Sequence, residues 1–286
     1  MAVVLVLAAA LTALPTALVQ FDLRGRSIST PDDLRALNDA RTFVLQMFGG
    51  LAVAVGAYAT WRRLRINEDE LRATRDGQVT ERFTRAIEQL GSDNTDVRIG
   101  AIFALARIAD NSPTDRDAII ATLSAFVRGH SPWPPTRAGQ PDDVEPADLP
   151  TLATRANDVQ SAVAVLGRIP SQGAQERIRL PHTDLRRARM WQLTLDGALF
   201  GHADLRGARI WESSLTRADL AHADLRAAVL TNADLRGATL QGADLRGAEL
   251  TDAALDGAQA DGGTRWPPGF DAPAHGVIMI KDSREP

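Results

Sequence analysis

The chain has no cysteine, which removes disulfides, thiolate nucleophiles and Cys-ligated metal centres together. Aromatics are sparse, at 5%, so leucine and alanine must fill whatever core exists. Lysine is nearly missing too. Lys281 is the only one among 32 basic residues, an arginine bias that reads as the composition of a GC-rich bacterial genome rather than as a phosphate-binding device. The formal net charge of -4 gives the whole chain no pull toward nucleic acid. There is no Gly-rich phosphate loop, no His-Glu-x-x-His and no nucleophile elbow. The sequence therefore predicts no catalytic residue, no metal and no cofactor.

Two apolar runs occupy the N-terminal quarter. Residues 2–21 are almost unbroken in hydrophobicity, about enough to cross a ~30 Å hydrocarbon core as a helix, with Pro15 as its kink point. A cleaved signal peptide is the competing reading. Against it, no Lys or Arg precedes the run and no good cleavage box follows. The second run, 43–61, carries no charge and includes Gly49, Gly50 and Gly56, small residues that let membrane helices approach closely. It ends near Tyr58 and Trp61, rings suited to the headgroup zone, and Arg62, Arg63 and Arg65 follow at once. That cluster places the downstream chain in the cytoplasm, although the loop before it also holds Arg24, Arg26, Arg35 and Arg41. The expectation is a membrane anchor over 1–66 in the inner (cytoplasmic) membrane. It has two spanning helices, the lipid bilayer as a partner, and the C-terminal domains in the cytoplasm.

Over 67–130 the spacing is helical. Phe83, Ile87 and Leu90 form one apolar stripe and Gly91 ends it; Val97, Ala101, Leu105 and Ile108 form a second; Ile119, Leu123, Phe126 and Val127 form a third. Ser112-Pro113 opens the third helix, a capping hydroxyl before a proline whose missing N–H costs nothing there. Residues 96–108 look like one HEAT-type helix pair, too little for a solenoid, so a small helical domain is the preferred reading. Six prolines mark 131–155 as an irregular linker. A helix over 156–170 follows, with Val159, Val163 and Leu166 at core spacing and Pro170 at its end.

From Leu180 the sequence beats in fives. Sixteen positions, from Leu180 to Leu255, are large and apolar; two residues earlier, the thirteen positions from Ala198 to Ala258 are Ala except Ser213. No helix has a period of five and a strand alternates in twos. A square coil fits: each pentapeptide makes one side, and sixteen sides make four turns of 20 residues, stacked at roughly 4.8 Å.

These residues resemble the pentapeptide-repeat family, and the resemblance implies a right-handed quadrilateral β-helix over 178–260. The segments Gly77–Phe83 and Ala86–Gly91, and the closing Trp266-Pro267-Pro268-Gly269-Phe270-Asp271, are similar to bacterial membrane-anchored members. The fold class that follows is membrane helices plus a small α-helical domain, then an all-β right-handed quadrilateral β-helix. Open coil ends would expose a strand edge, so the helix Val159–Ile169 is expected to cover the first turn. Within 261–286, Trp266 and Phe270 are expected to cover the last.

Residues twenty apart lie above one another, so the exterior reads as columns. Asp-Leu-Arg recurs at 184–186, 204–206, 224–226 and 244–246, which predicts a surface of ion pairs worth ~0–1 kcal/mol each. His182, His202 and His222 form a second column. A metal or pH-sensitive site is one reading; stacked rings copied by duplication is the favoured one, because no carboxylate completes a coordination set. Trp191 lies beneath Trp211 and Arg189 beneath Arg209. These residue types dominate interface hot spots, so the four are candidates for binding a partner; docking onto the protein's own helical region is the equal alternative.

A regular coil offers flat faces rather than a pocket, which argues against an enzyme. A DNA mimic that binds topoisomerases needs a strongly acidic exterior, but residues 180–260 hold 11 acidic residues and 9 Arg. A membrane-associated sensor or regulator has no legible ligand pocket. What stays in front is a membrane-tethered, non-enzymatic scaffold that presents a rigid coil to an unidentified protein partner, with no nucleic acid expected.

Overall fold

A computed structural model describes residues 31–134, 148, 150–170 and 175–281; the first apolar run, 2–21, lies outside them. The chain divides into two units, residues 1–77 and 78–286. In the first, helix α1 (Pro31–Leu90) contains one stretch, Thr42–Arg63, long and apolar enough to cross a membrane. Phe43, Met47, Leu51 and Val53 on it are exposed. Tyr58 and Trp61 lie 6.0 Å apart, and the Arg65 guanidinium sits 4.6 Å over the Trp61 ring. The anchor boundary placed at residue 66 falls inside α1, which runs on to Leu90 with no proline between Arg65 and Leu90 and with Gly77 tolerated in its interior.

In the second unit, the end of α1 packs with α2 (Thr95–Asn111), α3 (Arg116–His130) and α5 (Asn157–Leu166). Asn94 caps α2, its side-chain oxygen accepting from the Asp96 N–H at 2.8 Å, as short polar residues do at an N-cap. One stripe and one cap differ from those read off the sequence. Val97 is 38% exposed in the first turn of α2, while Ile102 and Ala109 are fully buried, so the core face is rotated toward α5. Ser112 does not cap a backbone N–H; its hydroxyl donates to Asp115 at 2.5 Å, across a 3-10 turn, Pro113–Asp115, that precedes α3.

The coil has parallel bridges at 20-residue separation from Arg179↔Leu199 to Thr239↔Gln259. Its interior leucines and corner alanines are almost entirely buried. Each side contributes five backbone N–H groups, and buried N–H groups must find acceptors. Around Leu205, Asp204 donates back to Thr183, Leu205 and Gly207 donate forward to Asp224 and Arg226, and Ala208 closes a corner turn onto Leu205, all at 2.8–2.9 Å. The fifth, the Arg206 N–H, goes to the Asp204 carboxylate at 3.1 Å. The same bond recurs at Asp184, Asp219, Asp224, Asp234 and Asp244. The repeat's aspartate is thus a backbone acceptor first. All sixteen corner residues from His182 to Gly257 have left-handed backbone, and ten of them carry a side chain. Each such residue costs roughly 1–2 kcal/mol. Its N–H, donated to the next turn, is part of what holds it there.

The open N-terminal edge is covered. Gln160 of α5 bonds both the N–H and the C=O of Arg189 at 2.8 Å, and the Thr194 N–H donates to Gly167 at 2.8 Å. Part of the stretch expected as a free linker belongs to this cover. Pro132 bridges Thr183 antiparallel, the Trp133 N–H donates to His182 at 2.7 Å, and α4 (Leu152–Arg155) buries Leu152. Residues 135–147 lie outside the described residues. At the other end the coil does not stop at four turns. Arg265 bridges Asp244 one residue out of step, and β2 (Ile278–Met279) pairs in parallel with β1 (Gln259–Ala260). A fifth, incomplete turn results. Ala272 and Val277 are its buried residues, while Trp266 and Phe270 are only half-buried, stacked 5.1 Å apart.

The Asp-Leu-Arg face is not uniformly superficial, which corrects the reading from sequence. Trp133 lies over Arg186 and Arg206, 4.9 and 5.4 Å from their guanidiniums, and Asp204 and Arg206 are 0% and 2% exposed. Arg246, two turns on, is 51% exposed. Burial raises the Asp184 carboxyl pKa, but hydrogen bonding from Arg186 and the charges of Arg155 and Arg186 outweigh it and hold the group below its ordinary value. Asp204 lacks an Arg155, and there burial prevails and its pKa is raised. Removing one member of a buried pair leaves the other charge uncompensated. Arg206→Met should therefore cost about 3–5 kcal/mol, and Arg246→Met, solvated and screened, far less. Denaturant melts of the full chain in detergent check this, and equal losses would contradict the buried-ladder geometry.

Candidate partner-binding face

Arg189, Trp191, Arg209 and Trp211 come together on one side of the first two turns. Arg189 and Arg209 are bridge partners. The Met190 N–H donates to Arg209 at 2.8 Å and the Gln192 N–H to Trp211 at 3.2 Å. The two indoles meet edge to face, 5.1 Å between centroids and 85° between planes, an arrangement the aromatic quadrupole favours. Trp191 is 48% exposed, Trp211 is half-buried beside it, and both arginines are exposed. The helical region reaches this site through Gln160, which grips only the backbone of Arg189. Above it the columns continue as Val229, Glu249 and Thr231, Thr251, so the patch is confined to two turns. Gln192 donates to Glu212 at 2.9 Å and ties the adjoining corner.

Ser213, the one break in the alanine column, belongs to this site. From Ala188 to Ala258 the residue two before each large apolar one closes its corner with a backbone turn bond, as Ala188 does onto Leu185, except at Leu193 and Ser213. Below Trp191 that bond is replaced. The Ser213 hydroxyl donates to the Met190 carbonyl at 2.5 Å and accepts from the Leu193 N–H at 3.1 Å. The corner is opened because Leu193 is bulkier than alanine and packs on Gly167, where an added Cβ would come within 2.7 Å of it. Ser213 was legible as an exception, but its role was not, since the acceptor lies a full turn away.

His182, His202 and His222 stack with centroids 4.9 and 4.8 Å apart and planes 2° and 15° from parallel. Lone pairs lie in the ring planes, so parallel stacked imidazoles do not converge on one ion. Among the described residues no group of three or more His, Cys, Asp or Glu could hold a metal. The column ends where Gly242 stands in for a fourth histidine; a Cβ there would fall 2.3 Å from His222. Burial, then the charges of His222 and His182, lower the His202 pKa from 6.5, with Asp219 opposing.

Two measurements probe these corners. Ser213→Ala restores the repeat pattern, yet it orphans the Met190 carbonyl and the Leu193 N–H and should cost about 1–3 kcal/mol in a chemical melt; a gain in stability would show that the corner closes without the hydroxyl. His202 takes up a proton less readily in the fold than in the unfolded chain, where the ordinary value is 6.5, so its contribution is present above that pH and is lost as pH falls through the lowered value. His202→Asn, tolerated in left-handed backbone, should flatten the decline in melting temperature between about pH 7 and 5. An unchanged slope would place the titration elsewhere.

The family model for pentapeptide repeats matches the chain in eight copies, over residues 183–220, 195–232, 213–252 and 228–262. The chain is 36% identical to a pentapeptide-repeat protein of Nostoc Pcc 7120, covering 36% of this chain and 86% of that one, with a TM-score of 0.36. It is 32% identical to one from the Arabidopsis thaliana thylakoid lumen, over 31% of this chain and 56% of that one, with a TM-score of 0.27. A third, from the cyanobacterium Cyanothece 51142, is 31% identical over 32% and 66%, with a TM-score of 0.20. No curated protein matches the chain.

Proposed function

We propose that this chain, which belongs to the pentapeptide-repeat family, is a bacterial membrane-tethered scaffold with no catalytic role, whose coil captures a protein partner on Arg189, Trp191, Arg209 and Trp211. The observation that carries this reading is the indole pair, held in edge contact outside a continuous backbone ladder. Ordering such a surface costs little on binding, because the ladder has already fixed it. Trp and Arg are the side chains that contribute most when buried against a partner. Tethering rests on Thr42–Arg63, and a cytoplasmic coil on Arg62, Arg63 and Arg65 beyond it. A DNA-mimic role is disfavoured, since arginines stand beside the aspartates along the repeat face.

Proximity labelling from the cytoplasmic side of native membranes tests both halves. Joint Trp191→Ala and Trp211→Ala substitution should reduce labelling of the specific partner at least about tenfold, as expected for two hot-spot aromatics, without moving the melting temperature by more than a degree or two. An unchanged labelling profile removes the patch from the proposal, and labelling only from outside reverses the topology.

A further inference from the structure

A second surface is formed where the last turns of α1 run beside α2. One side of α2 packs on α3 and α5. The other opens into a groove of about 590 Å³ whose floor is Val79, Ala86, Ala104 and Ile108 and whose rim carries Arg82, Arg85 and Arg107. No carboxylate lines it. Arg85 is paired with the exposed Glu81 at 2.9 Å; Arg82 and Arg107 are exposed and have no ion-pair partner among the described residues. Phe103, one residue before Ala104, is 56% exposed.

We infer that this groove binds an acidic amphipathic helix of a partner protein, apolar face down and carboxylates on the three arginines. Shape supports a helix: the wall from Val79 to Gln89 extends about 15 Å at 1.5 Å per residue, three turns of α-helix. The alanines in the floor, one from each wall, allow the close approach that helix packing at 8–10 Å requires. Charge supports an acidic one, because arginine prefers carboxylates in paired, forked geometry and the groove supplies none of its own. A pair of helices that buries one side and leaves on the other a trough with an apolar floor and a polar, arginine-bearing rim is an arrangement helix-in-groove recognition uses. This surface is separate from the tryptophan face, so the scaffold would hold two partners or two parts of one.

The test uses the full chain in detergent and a fluorescent peptide about three turns long, with leucines on one face and glutamates on the other. Controls are the same composition with the leucines scrambled, and the same stripe with lysine for glutamate. The acidic amphipathic peptide should bind saturably and at least tenfold more tightly than either control by fluorescence anisotropy. Arg82→Glu with Arg107→Glu should weaken it at least tenfold while leaving the circular-dichroism melt unchanged. If the double reversal disturbs the fold, Arg82→Gln with Arg107→Gln should give a smaller loss of the same sign. Equal affinity for the scrambled peptide overturns the inference, as does indifference to both variants. Arginine-dependent binding to phosphatidylglycerol vesicles without peptide binding overturns it in favour of a lipid surface.

Discussion

The coil depends on one accounting constraint: five backbone N–H groups per side, each of which needs an acceptor. Around Leu205 three go to neighbouring turns, one closes the corner and one goes to the Asp204 side chain, a bond repeated on the sides that carry Asp184, Asp219, Asp224, Asp234 and Asp244. That distribution requires left-handed backbone at every corner, glycine or not. It also requires successive turns to keep a 20-residue register. The fold is therefore rigid for a reason independent of its leucines. A side chain placed on the exterior has its position set by bonds on both sides of its own peptide, and the indole pair inherits that fixity.

The ends need separate solutions, because a terminal turn has no neighbour to accept or donate. At the start, Gln160, Gly167 and Ser131 supply the missing partners, and Trp133 closes over the first two arginines of the ladder. This cover changes the meaning of a repeated motif. Asp-Leu-Arg is a buried, fully bonded pair in turns one and two and a solvated pair by turn four. Identical residues thus differ in energetic weight by position alone, which a reading of columns from sequence had treated as uniform. At the far end the register slips by one residue at Asp261, whose carboxylate accepts from Gly242 and Gly263, and β2 adds a last strand.

Periodic features were legible and aperiodic ones were not. The beat from Leu180 to Leu255 specifies the coil because a five-residue period has no competing explanation, and the columns follow from it by arithmetic. The left-handed corners were hidden because only six of sixteen are glycine. Trp133 and Arg155 were hidden because they lie in a proline-rich stretch, yet reach Arg186 and Asp184 across long sequence separations. Of the candidate site, the meeting of Trp191 with Trp211 followed from the register. That the helical cap takes the backbone of Arg189 and leaves the indoles outside could not, since it depends on the rotation of α5 about its own axis.

What distinguishes this coil from a bare repeat lies in its departures. Leu193 replaces alanine where α5 lands; Ser213 replaces alanine to repair the corner that Leu193 opens; Trp191 and Trp211 stand where later turns have threonine. All four fall within the first two turns, beside the helical cap. A substitution that only had to preserve the stack would be free to occur anywhere along it. Clustering at one end places these departures where the helical cap docks, through Gln160 on Arg189 and Gly167 on Leu193, and that docking sets where the tryptophan face lies relative to the groove between α1 and α2. For the scaffold proposed above, two surfaces held in one rigid relation would be of use, the repeat supplying the rigidity and its exceptions the place at which a partner docks.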